Sequence, residues 1–197
     1  MVAGQRRRLP ALPLPRGPRP DALGQLLNPD AIISRLERFP RTLAAVCEGL
    51  SREDALYRAD SKSWSILEVV CHLADEELLD FPKRLESTLN DPTAPWDPID
   101  PEAWASRRAY REQDLGEQVG LFTNRRAERI AWAKGRTNPA WDNAYPHPQI
   151  GAIRAGDLLA AWGVHDALHL RQISKRLYEL GVRDGGGYET AYAGEWS

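Results

Sequence analysis

The sequence predicts an all-α fold: a four-helix bundle with a long crossover loop and a disordered N-terminal arm. Three observations carry this expectation. Four stretches repeat apolar residues at spacings of three and four, the period of a helix with one buried face. Each is bounded by residues that start or stop helices. The connections between them are rich in proline and glycine, and the connection over residues 90–112 is long enough to cross between helices that are not antiparallel neighbours.

At 197 residues with 42% hydrophobic content, the chain suits one domain with a sizeable core. A net charge of −2 argues against a general nucleic-acid binder. The sequence holds no apolar run long enough to span a membrane and no signal-peptide pattern, so the expected location is cytoplasmic. Cys47 and Cys71 are not spaced as a metal or redox pair and read as small core residues.

Residues 1–28 carry Arg6, Arg7, Arg8, Arg16 and Arg19 and five prolines, which read as a flexible arm. The first helix is expected over residues 29–50, from Ile32, Ile33, Leu36, Phe39, Leu43, Val46 and Leu50, with a kink at Pro40. The second opens on Ser65 and Glu68, at the spacing of a capping box, and its apolar stripe runs to Leu89 with a kink at Pro82. The third covers residues 114–134 and stops at Gly135; Arg125, Arg126, Glu128 and Arg129 are expected to face water. A second loop over 136–153 places His147 between two prolines, in extended chain. The fourth helix is expected over 156–180, stopped by Gly181, with a glycine-rich tail over 182–197.

His165 and His169 are four apart in the fourth helix and therefore share a face. Two imidazoles so placed suit one divalent metal. An i, i+4 histidine pair is also common as core or surface filling. His72 lies on the second helix beside core residues, with Glu76 one turn on, read as a rim or structural carboxylate, with an acceptor for the histidine or a fourth ligand as the alternatives. Asp166 reads as a solvated acid.

The segments Trp64-Ser65-x-x-Glu68-x-x-x-His72-Leu73 and His165-Asp166-x-x-His169-Leu170-x-Gln172-Ile173, in this order and spacing, resemble the DinB/YfiT-like superfamily of bacterial helical-bundle proteins. The resemblance covers about residues 29–181, leaving the arm and the tail outside it. It implies an up-down-down-up bundle, a homodimer, and a divalent metal, zinc or nickel, on His72, His165 and His169. Family activities include S-transfer and isomerisation with low-molecular-weight thiols, so the expected function is a metal-dependent enzyme acting on a small-molecule substrate with a thiol, or hydrolysing such an adduct. No residue is assigned to catalysis, and neither nucleic acid nor membrane is an expected partner. The alternative is a non-enzymatic dimeric bundle whose histidines fill the core or hold a structural metal. The family pattern often has Ser or Thr capping the fourth helix, where this chain has Ile153-Arg154-Ala155-Gly156.

Overall fold

A computed structural model of the chain describes residues 26–196. Four long helical segments form the bundle: α1 (Pro29–Cys47), α3 (Ile66–Leu79) continued by α4 (Phe81–Asn90), α6 (Leu115–Lys134) and α7 (Ala155–Gly185). Short helices α2 (Arg52–Ala55) and α5 (Pro101–Arg107) occupy the first two connections. The expected arm lies outside the described residues as far as residue 25.

Contacts between helices fix their directions. Leu36 and Phe39 of α1 meet Arg126 and Phe122 of α6 in reverse order, so these two are antiparallel. The Arg125 and Arg129 side chains donate to the carbonyls of Ala74 and Glu77 in the same order, so α3 and α6 are parallel. His72 and Glu77 meet His169 and Trp162 in reverse order, so α3 and α7 are antiparallel. A Cβ built on Gly163 would lie 2.8 Å from Ile32, and one on Gly156 would lie 3.1 Å from Leu27, so α1 and α7 run parallel at close approach. The result is up, down, down, up. Parallel neighbours α3 and α6 must be joined by chain that travels back the length of the bundle, which is why residues 91–114 are needed.

Local signals act as expected at several ends. Asn28 caps α1 by accepting from the Ala31 amide at 3.0 Å. Ser65 and Glu68 form the capping box of α3. Asp114 caps α6, and Gly135 ends it. The helix α1 continues through Pro40, which has no N–H to give the Leu36 carbonyl four residues back. The Arg126 Nη1 fills that vacancy from α6 at 3.0 Å.

Elsewhere the chain departs from expectation. The second helix breaks at Asp80, one residue earlier than the start of the Phe81-Pro82 turn, because Pro82 cannot donate into the preceding turn. The fourth helix runs through Gly181 to Gly185. Glycine inside a helix costs only about 1 kcal/mol; buried Leu180 and an Arg183–Asp54 ion pair at 2.7 Å hold the last turn in place. Gly186, at φ 59°, is the true stop. The expected loop over 136–153 contains a hairpin, β1 (Ala144–His147) paired antiparallel with β2 (Gly151–Arg154). Its three-residue turn, residues 148–150, leads into Gly151 at φ 87°, a left-handed position suited to glycine. The same region starts α7 without a Ser or Thr cap. The Ala155 and Gly156 amides donate to the Asn143 and Trp141 carbonyls, and Asp157 accepts from the Arg154 amide at 3.0 Å.

The apolar core falls into two clusters. One holds Leu43, Val69, Leu73, Phe122 and Ile173; the other holds Ile33, Leu85, Ile130, Leu158 and Trp162. Between them lies a buried polar layer to which all four long segments contribute. Arg126 of α6 donates to both Asp166 oxygens of α7 at 2.8 Å, to Glu77 of α3 at 2.8 Å and to the Leu36 carbonyl of α1. The Trp162 indole N–H also donates to Glu77 at 2.8 Å. Arg126 is 1% exposed and Asp166 5%, so neither faces water as the sequence suggested. Burial alone would lower the Arg126 pKa, but the two carboxylates outweigh it and hold the guanidinium charged.

Candidate metal centre

The site is built on α3 and α7. In α3 every residue from Ile66 to Glu77 is buried, which fixes the helix on all sides. Its capping box is locked further by Arg58, which pairs with Glu68. The turn before it lays the Trp64 ring 4.9 Å from the His72 ring. Across the bundle α7 presents His165 and His169 on one face, as their spacing of four requires. The break at Asp80 brings Phe81 to 4.8 Å from the His165 ring. Trp64 and Phe81 thus flank the histidines with aromatic surface.

One donor atom from each of His72, His165 and His169 lies within 4.8 Å of the others. The nearest pair is His165 Nε2 and His169 Nε2, at 2.9 Å. His169 Nδ1 is 2.7 Å from Gln172 Oε1; because the amide oxygen only accepts, Nδ1 carries the proton and Nε2 a lone pair. His72 Nδ1 is buried and has no hydrogen-bond partner. Nitrogens about 2.0–2.1 Å from a tetrahedral metal stand roughly 3.3 Å apart, which small rotations of these rings would reach. Three imidazole nitrogens brought within 4.8 Å of one another in the interior fit a cation, because one ion can bind all three.

The electrostatics favour neutral imidazoles. Burial pushes His72 down to about 2, with His169 and His165 adding to the effect. Burial and His169, then Arg126, push His165 down to about 3. His169 is lowered by burial as well, against the pull of Gln172. Neutral imidazole is the form that ligates. Glu76 is 3% exposed and its Oε1 lies 3.6 Å from His72 Nδ1, too far for a hydrogen bond. Burial raises the Glu76 pKa and neighbouring Asp80 raises it further, while Asp80 is itself paired with Arg84 at 2.9 Å. Glu76 is therefore a buried carboxyl with a raised pKa, a structural group and not a rim one.

The structure brings together the three histidines the sequence singled out and leaves the fourth apart. The His147 Nδ1 accepts from the amides of Gln149 and Ile150 in the hairpin turn. Both cysteines are buried, and burial pushes Cys47 up to about 11 and Cys71 up to about 12, so neither is a ready thiolate. Sequence reasoning missed Trp64, Phe81 and Gln172 as neighbours of the histidines. It had signals for two of them: Trp64 stands in the same motif as His72, and Gln172 lies on the stripe of α7 that carries His165 and His169. It also missed the pairing of Asp166 with Arg126 and of Asp75 with the Tyr110 hydroxyl at 2.8 Å.

Known proteins of this shape agree with the geometry. A solved structure of YfiT from Bacillus subtilis, described as a probable metal-dependent hydrolase with an unusual four-helix bundle topology, superposes with a TM-score of 0.72, covering 84% of this chain and 93% of that one at 21% identity. By sequence, "Putative metal-dependent hydrolase YfiT" of Bacillus subtilis is 25% identical over 154 residues, 75% of this chain and 85% of that protein. "Putative metal-dependent hydrolase OB0782" of Oceanobacillus iheyensis is 25% identical over 149 residues, 73% of this chain and 84% of that protein. The sequence profile of the DinB superfamily matches residues 35–173, which span the bundle from α1 to the histidine face of α7, and the chain belongs to that superfamily.

Proposed function

We propose that this chain is a metal-dependent enzyme in which His72, His165 and His169 hold one divalent cation, zinc or nickel. The observation that carries this reading is the convergence of three buried or half-buried neutral imidazoles. A divalent cation on three neutral nitrogens supplies a Lewis acid with an open position, able to draw the pKa of water or of a thiol toward neutrality. The chain's own residues do the rest. Gln172 fixes the His169 tautomer, and Trp64 and Phe81 keep bulk water from two sides of the site.

Water is the favoured second reactant, because both curated relatives carry the name of a hydrolase. A low-molecular-weight thiol, used in S-transfer or isomerisation, is the finer reading that the family resemblance supports. Activated esters assayed with and without added thiol separate the two: turnover without thiol marks hydrolysis, and turnover that requires it marks thiol chemistry. The metal itself is tested first. Purified protein should hold about one divalent ion per chain. His169→Ala should weaken binding by more than about 100-fold, beyond the loss typical of a supporting residue. Equal metal content in wild type and in a variant lacking all three histidines would overturn the reading.

A further inference from the structure

Beside the histidines lies a cleft of about 890 Å³ whose lining includes Lys62, Trp64, Glu102, Gln172, Lys175 and Arg176. Two of these residues belong to both places. The Trp64 ring packs on His72, and Gln172 holds His169. The stripe of α7 that carries His165, His169 and Gln172 continues, at helical spacing, to Arg176. From His169 to Arg176 is about 10 Å along the axis, at 1.5 Å per residue.

The charges on this cleft are only partly paired. Lys62 and Lys175 are exposed, and neither has an ion-pair partner among the described residues. Arg176 is 5% exposed; its Nη2 reaches Glu179 at 3.0 Å, and its Nη1 has no partner. Glu102 is the one carboxylate on the lining. Even with Arg176 counted as neutralised by Glu179, the two lysines outnumber it. A buried guanidinium with a spare donor is costly, and an oxyanion is the ligand that best relieves it.

We propose that this cleft is the recognition half of the site, taking a ligand whose carboxylate lies among Lys62, Lys175 and Arg176 and whose apolar segment runs over Trp64 toward the histidines. The reacting group then sits about 10 Å from the anion, two helical turns away. That orientation rests on the metal reading; the anion subsite does not. A phosphate would engage the same donors, so the two oxyanions are separated by experiment.

Full-length, metal-free protein is titrated with 4-phenylbutyrate, its methyl ester and inorganic phosphate while the Trp64 indole N–H resonance is followed, assigned with Trp64→Phe. The acid should shift it saturably and bind at least about tenfold tighter than the ester, as expected for a charge-assisted contact. In the Lys62→Ser/Lys175→Ser variant, which touches only exposed positions, the acid should fall to within about twofold of the ester. Displacement by phosphate supports a general oxyanion subsite, and its failure to displace supports a carboxylate subsite. Equal binding of acid and ester to wild type, no saturable shift, or an unchanged preference in the double variant would overturn the proposal. Metal content measured on the protein as purified, before the metal is removed for the titration, keeps the two readings apart. A wild-type protein that holds its cation but shows no preference for the acid loses only the subsite. One that holds no cation but prefers the acid loses only the metal.

Discussion

Two buried polar clusters share helices α3 and α7, and they differ in the charge of the groups they bring together. The arginine layer turns inward on itself: Arg126, Glu77, Asp166, Trp162 and the Leu36 carbonyl bond one another across all four long helical segments, leaving Arg126 Nε and Glu77 Oε2 without a partner. The histidine cluster is also buried, yet it is built of neutral imidazoles whose nitrogens approach one another. Interior charge that is matched within the protein locates helices relative to each other. Neutral ring nitrogens that converge on a common point, with no charge among them, suit a cation supplied from outside. Burial alone therefore says little about role, and neither does a single orphaned atom, since both clusters contain one; the charge of the groups that converge is what separates the two.

The sharpest way to break this contrast is to remove one member of each cluster. Arg126→Met leaves two buried carboxylates unpaired and should cost about 3–5 kcal/mol in urea unfolding of the metal-free protein. Replacing Glu77 and Asp166 by apolar residues in the same variant should recover part of that loss, since the stranded charges leave with their partner. His169→Ala, measured identically, should cost no more than about 1–2 kcal/mol, the range of an ordinary substitution. A loss as large as that of Arg126→Met would make His169 a core residue first.

Acidity sharpens the comparison further. The histidines have folded pKa values below their unfolded ones, so their contribution to stability is full above about pH 6.5 and is lost as pH falls toward the folded values, about 2 for His72 and about 3 for His165. Each contributes up to about 1.4 kcal/mol per pH unit in that window. Glu76 and Asp80 act with the opposite sign, because their folded pKa values are raised and the folded state takes up their protons first as pH falls. Metal-free wild type should thus lose stability between pH 6.5 and 5. A variant with all three histidines replaced should lose none over that interval, or gain. An identical slope in both would show that the histidines do not titrate with unfolding.

The smallest effect expected is at Gln172. It is exposed, so Gln172→Ala should change metal-free stability by less than about 0.5 kcal/mol. It should nevertheless weaken metal binding by about tenfold, because the His169 tautomer is no longer held. Equilibrium dialysis against a competing chelator measures this directly.

The sequence by itself determined the helices and the candidate ligands, because those rest on local periodicity. Ser65 with Glu68, Asp114, Gly135 and the four-residue spacing of His165 and His169 act within one turn of chain, where no knowledge of packing is needed. Tertiary structure decided what the charged residues do. Arg126 and Asp166 looked like solvent-facing residues, since nothing near them in the chain shows that they meet 40 residues apart. Nor could local sequence show that Pro40 frees a carbonyl for Arg126, that carbonyls of Trp141 and Asn143 cap α7, or that Trp64 and Phe81 wall the histidines. A long-range ion pair lowers the free energy only after the bundle has brought its partners together and removed the water, so it leaves no periodic trace in the chain that encodes it.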